Sequence, residues 1–290
     1  MQSNNPVFRR SETFNGQANA YGNQTYAGNG SPYAGYGDPS TWGTGTPGSP
    51  GTPPTHTAPA RRMTIDSVVQ STAISFLVVL VGAFATWILT PEIVPNMPAS
   101  DLSGLFAALT VGSLVAFGLS MVNSFKRVVS PGLVIAFCAA EGVALGALSK
   151  LFDAQYGHHI VINAVLGTFA AFAGTLAAYK FFNIQVGQKF RTFVIAAVFG
   201  MVGLSVLELV LSAFGNGTGL FGVTGIGMLT AFAGLLLGVF MLILDFDMVE
   251  RGIAAGVDER ESWRAAFGLT VSLVWIYTNL LRILAFFNQD

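Results

Sequence analysis

Charge is what this sequence has least of. Only 10% of its 290 residues are Asp, Glu, Lys or Arg, while 52% are hydrophobic; a soluble domain carries about 25% charged residues. A water-soluble chain of this length needs far more polar surface, so an ordinary soluble domain is excluded. The formal net charge is −1, and without a basic excess nothing points to nucleic acid or to an acidic substrate. Cysteine occurs once, as Cys138 inside an apolar run. No intrachain disulfide can form, the compartment is not readable from cysteine, and the residue reads as packing. Histidine is confined to His56 and the pair His158-His159. There is no His-Glu-x-x-His zinc motif, no Gly-x-Ser-x-Gly elbow and no Walker loop, so neither an enzyme nor a cofactor is expected. His158 and His159, with Asp153 nearby, read as a solvated loop rather than a metal site. The start of the chain also lacks the apolar core of a signal peptide.

What is present is a polar, Gly/Pro/Tyr-rich N-terminal segment, residues 1–62, followed by long apolar runs. The segment holds too little apolar area to offset its ordering entropy, so a disordered tether is expected. A helix needs about 20 mostly apolar residues to cross the hydrocarbon core. Seven stretches qualify: 71–90, 102–123, 132–152, 160–182, 190–213, 222–245 and 264–287. The expected fold is therefore all-α, a seven-transmembrane-helix bundle over residues 63–290. Small residues four apart, Gly142 and Gly146 and again Gly234 and Gly238, suit close helix packing within the bundle or between copies.

Lys and Arg counts set the orientation. One side gathers Arg61, Arg62, Lys126, Arg127, Lys180, Lys189, Arg191, Arg251, Arg260 and Arg264; the other has only Lys150. The expectation is a cell-membrane protein with its N-terminus in the cytoplasm and its C-terminus outside.

Ionisable groups at membrane depth are costly, so each needs an account. Arg282 and Glu208 lie near the outer ends of their spans, where Arg282 reads as snorkelling to the headgroups and Glu208 as reaching water. Glu141 lies in the middle of the third span, where it either lines a polar cavity or makes one neutral hydrogen bond between helices. The sixth span ends at Leu244-Asp245-Phe246-Asp247. Residues two apart on a helix point in nearly opposite directions. Asp247 has Arg251 four residues on, a natural surface pair. That leaves Asp245 facing the bundle, beside the negative end of the helix dipole; a carboxyl so placed is expected to exchange protons near physiological pH.

The seven spans, the ending Leu244-Asp245-Phe246-Asp247, and the last span from Trp263 to Leu284 with Leu280-Leu281-Arg282-Ile283-Leu284 together resemble one family. It is the Bax inhibitor-1 (transmembrane BAX inhibitor motif) family, in particular its bacterial YccA-like members. The resemblance runs over residues 61–290 and implies a pH-sensitive calcium leak or channel. It also implies a pair of aspartates, one in the sixth span and one in the seventh, that share protons near the cytoplasmic mouth. Asp245 fits the first position, with Asp247 as the other claimant. The chain departs at the second position, because no Asp or Glu occurs between Arg264 and Phe287. Ser272, or on a shifted alignment Asn279, stands there, and neither can share a proton as a carboxylate does. A single titrating aspartate, with Glu141 as a candidate assistant, is what the sequence permits.

Two functions compete. The first is an ion pathway, for Ca2+ by resemblance, gated by proton binding at Asp245, with transient oxygen ligation there. The second is a non-conducting regulator that binds other membrane proteins, such as a quality-control protease, through the tail and the acidic loop Asp258-Glu259-Arg260-Glu261. The expected surroundings are the lipid bilayer, Ca2+ and protons, and other membrane proteins, with no nucleic acid.

Overall fold

Thr64 begins the first helix. Its hydroxyl accepts from the Ser67 N–H at 3.1 Å, and the Ser67 hydroxyl accepts from the Thr64 N–H at 3.0 Å. This reciprocal cap satisfies two donors that a helix start otherwise leaves unpaired. The computed structural model describes residues 61–94, 98, 101–157, 159–223 and 225–289. Within them run α1 (Ile65–Leu89), α2 (Ser103–Phe125), α3 (Pro131–Tyr156), α4 (Ile160–Phe181), α5 (Gln188–Ala213), α6 (Ile226–Ala255) and α7 (Glu261–Phe287). All seven are long and apolar enough to span a membrane. No strand occurs among the described residues, only an isolated bridge between Arg62 and Asp258.

The ends differ from the hydropathy reading most in α1 and α6, and α3 runs four residues past 152, to Tyr156. α1 starts at Ile65 instead of 71, because the cap that fixes its start is polar and adds nothing to an apolar run. α6 starts at 226 instead of 222 and runs ten residues past 245, to Ala255, before Gly256 closes it in the left-handed region at φ 63°. Glycine takes that conformation without penalty. At 30 residues, α6 is about 45 Å long, well beyond the about 30 Å of a hydrocarbon core.

α7 and α3 form the centre. They are the most buried helices and the least hydropathic, whereas α5 is strongly apolar and buries only Val194. The inversion is expected of a bundle in lipid: outer faces meet acyl chains, and small or polar residues go inside. Gly142 and Gly146 of α3 lie against the α1 backbone, a Cβ at Gly142 reaching within 2.5 Å of the Val79 carbonyl oxygen. Gly234 and Gly238 of α6 lie against Asn279 and Ile276 of α7. Both pairs therefore pack inside the bundle. Several buried hydroxyls bond a carbonyl one turn back on their own helix, as Thr168 does to Ala164 and Thr270 to Ala266, the usual way to place a hydroxyl in an apolar interior.

Residues 1–60, with most of the expected tail and His56, lie outside the described residues, as do His158 and Asp290. Arg61, Met63 and their neighbours are tied to the α6–α7 connection. The Met63 N–H donates to the Val257 carbonyl at 2.8 Å, and the Glu259 N–H to the Arg61 carbonyl at 2.8 Å.

Candidate functional site

Asp245 lies ten residues inside the end of α6, about 15 Å along the axis at about 1.5 Å per residue. It is therefore not at the helix terminus, and the dipole end expected beside it acts elsewhere, since that field fades within the last turn. The carboxylate is half-buried and accepts a 2.5 Å hydrogen bond from the Ser272 hydroxyl of α7. Its other oxygen faces Gly268, where a Cβ would stand 3.0 Å from Oδ1. No salt bridge reaches Asp245 among the described residues.

Asp245 and Ser272 open onto a groove of about 380 Å3, with α6 and α7 as its floor. Ser120 and Ser124 of α2 form one wall; Val194, Ile195, Val198 and Phe199 of α5 form the other. Phe267, Val271, Met241 and Leu244 complete an otherwise apolar lining. The groove sits in the half of the bundle nearest the basic connections. A second cavity, about 230 Å3 between α1, α3, α4 and α7, is almost wholly apolar; at its rim the Ser149 and Tyr277 hydroxyls lie 2.6 Å apart.

Asp247 is not a surface residue. It is 5% exposed and pairs with two arginines, Arg191 of α5 and Arg251 of α6, each at 2.9 Å. The second of these is the expected pair one turn on; the first comes from another helix, and together they make burial of the carboxylate tolerable. Arg251 also donates to the Val186 carbonyl at 2.8 Å, so the cluster ties the α4–α5 connection to α6. The two aspartates thus have opposite settings: one neutralised twice, the other facing a groove with no basic side chain among its described lining residues.

Of the two candidates for the seventh-span partner, the structure brings Ser272 to Asp245. Asn279 lies two turns further along α7, donating to the Trp275 carbonyl at 2.8 Å and accepting from Arg282 at 3.3 Å. Arg282 does not snorkel outward. Its guanidinium turns into the α5–α6 connection, donating to the carbonyls of Gly227 at 2.7 Å and Leu220 at 3.2 Å and to the Thr230 hydroxyl at 2.9 Å. Carbonyls freed by the irregular start of α6 take up its Nη donors, while Nε has no partner among the described residues. Glu208 closes the same connection from α5, accepting from the Thr218 N–H at 3.1 Å and the Gly219 N–H at 2.8 Å. Glu141 is half-buried near Cys138, has no hydrogen-bond or ion-pair partner among the described residues, and is not part of the groove. The structure does not bring it to Asp245.

The acidic loop is occupied at both ends: Asp258 accepts from the Arg260 N–H at 2.8 Å, and Glu261 pairs with Arg264 at 3.2 Å. Among the described residues no group of three or more His, Cys, Asp or Glu is placed to hold a metal ion. Any cation at Asp245 would take its remaining oxygens from hydroxyls and water.

Three features of the site were missed in the sequence. Arg191, Gly268 and the serine pair on α2 belong to helices whose neighbours no local pattern reveals. The only available hint was Ser120 and Ser124, four apart on one face of an apolar span.

No curated protein matches the chain. The sequence model of the family described as Bax inhibitor 1 like matches residues 5–289, reaching beyond 61–290 into the N-terminal segment. With seven spanning helices and nearly the whole length matched, this chain belongs to the Bax inhibitor-1-like family.

Proposed function

We propose that the protein is a cation leak, for Ca2+ first of all, in which proton binding at Asp245 sets whether the path is open. The observation that carries this is the carboxylate of Asp245, which faces an open groove at membrane depth and, among the described residues, has a serine as its one hydrogen-bond partner and no basic side chain paired to it. A charge so placed is costly and is the usual mark of an ion path. Proton binding removes that charge, and with it the ligand a hard cation needs. The two acids nearest it on α6 are committed elsewhere: Asp247 to Arg191 and Arg251, Glu250 to the Tyr179 hydroxyl at 2.6 Å. Asp245 thus acts alone, with Ser272 in place of a second carboxylate. In this reading the basic end of the bundle faces the cytoplasm, as the Lys and Arg distribution favours.

Purified protein in liposomes loaded with a Ca2+ indicator tests it. Flux is expected to change between about pH 5 and 8 in the parent and in Glu141→Gln, and to lose that dependence in Asp245→Asn. Zero flux at every pH overturns the proposal and leaves the non-conducting regulator as the working reading.

A further inference from the structure

The groove has a chemistry of its own apart from inorganic ions. Its walls are apolar and aromatic, its polar groups are one carboxylate and three serine hydroxyls, and it contains no basic side chain. The arginines of α5, α6 and α7 nearest the basic connections are all committed elsewhere. Arg191 and Arg251 are held by Asp247; Arg264 is held by Glu261 and donates to the Arg127 carbonyl at 2.9 Å. The carboxylate is therefore left with one oxygen on Ser272 and the other beside the bare Cα of Gly268. Ser124, Ile195 and Phe199 are exposed on the outer walls, so the groove opens sideways, where acyl chains lie.

We propose that this groove binds a single-chain lipophilic amine that enters from the bilayer, its ammonium at Asp245 and its hydrocarbon part along Ile195, Phe199 and Phe267. Charge complementarity selects a cation, since an anion or phosphate would meet no basic donor. The ammonium has three donors, and the groove offers as acceptors the second carboxylate oxygen and the hydroxyls of Ser120 and Ser124. At about 380 Å3, the space is at the low end of small-ligand pockets, about 300–1,000 Å3, enough for one chain or ring system and too small for a two-chain lipid. A phosphatidylethanolamine headgroup is disfavoured further because its phosphate would lie unpaired next to Asp245. The proposal deepens the cation reading and rests on Asp245 as the cation-binding group; the amine and Ca2+ then compete for one carboxylate.

The test uses the full chain in phosphatidylcholine nanodiscs with radiolabelled decylamine as the probe, and empty nanodiscs as the blank. Saturable binding near one per chain is expected above the blank. Asp245→Asn and Ser124→Trp should each weaken it at least tenfold; the tryptophan blocks the groove from an exposed position and spares the core. Glu259→Gln on the surface should leave it unchanged, and decanol, with the same chain and no charge, should bind at least tenfold more weakly. Equal binding by parent and Asp245→Asn, or equal binding of amine and alcohol, overturns the proposal. Amine binding lost in Asp245→Asn while Ca2+ flux is absent throughout supports this site and removes only the conduction reading. Proton-dependent flux lost in Asp245→Asn, with no saturable amine binding in the parent, overturns this site and leaves conduction standing.

Discussion

Adding one methyl group at Gly142 tests the centre of the architecture. A Cβ there would lie 2.5 Å from the Val79 carbonyl oxygen and 3.1 Å from both Val79 C and Cα. Ordinary contact begins near 3.4 Å, so the approach falls short by 3.4 − 2.5, or 0.9 Å. The obstructing atom is α1 backbone, which cannot swing aside, so α1 and α3 must separate. Overpacking of this kind costs about 1–3 kcal/mol. Gly118→Ala on α2 is the matched control, because a Cβ there meets nothing within 4 Å. Both substitutions gain the same helix propensity, about 0.8–1.0 kcal/mol, so the difference between them isolates the packing cost. For a domain of this size about 2–4 °C of melting temperature corresponds to 1 kcal/mol. Gly142→Ala should therefore melt about 2–12 °C below Gly118→Ala, followed by circular dichroism in one detergent. If the two melt together, α1 and α3 are not in backbone contact and the core described above is wrong.

Other expectations follow from charged groups. Asp247→Asn removes both arginine pairs; breaking a buried pair costs about 3–5 kcal/mol, but the arginines are 35% and 55% exposed, so about 1–3 kcal/mol is expected, read as a lower melting temperature and faster tryptic cleavage between α4 and α5. Lys150, only 6% exposed, donates to the Trp87 carbonyl at 2.7 Å and the Thr90 carbonyl at 2.6 Å. Lys150→Met leaves those carbonyls unpaired, at a cost of about 1–3 kcal/mol, and amide hydrogen exchange should rise in the last turn of α1 but not in α6. Gly268→Ala places a methyl 3.0 Å from the Asp245 oxygen and should alter the pH dependence of flux while moving the melting temperature by less than Gly142→Ala does; an unaltered pH profile would show that this oxygen takes no part.

The number and order of helices were legible because apolar runs of spanning length are separated by polar or Gly- and Pro-containing breaks. Helix ends were less legible, since polarity marks where hydropathy falls and not where the backbone stops turning. α6 continues past Asp245 because Arg191, 56 residues away in sequence, and Arg251 make it possible for Asp247 to be buried. No local pattern carries that information, which is why Asp247 read as a surface residue and Asp245 as a helix-end residue. The choice between Ser272 and Asn279 needed the relative depth of α6 and α7; sequence offered both, and the bundle brings only the serine to Asp245. Arg282 was misplaced for a related reason: the acceptors that hold it are backbone atoms of a connection whose course the side chains do not announce.

α5 supplies one side of the groove while burying a single residue, Val194, and it packs chiefly on α6. More of its surface touches acyl chains than touches protein. The seating of that side is accordingly shared between polypeptide and solvent, and the solvent here is a liquid crystal with its own thickness and lateral pressure. A thinner or more fluid bilayer would retilt α5 at little cost to the core, so the lipid mixture chosen for reconstitution is a variable of the same rank as pH.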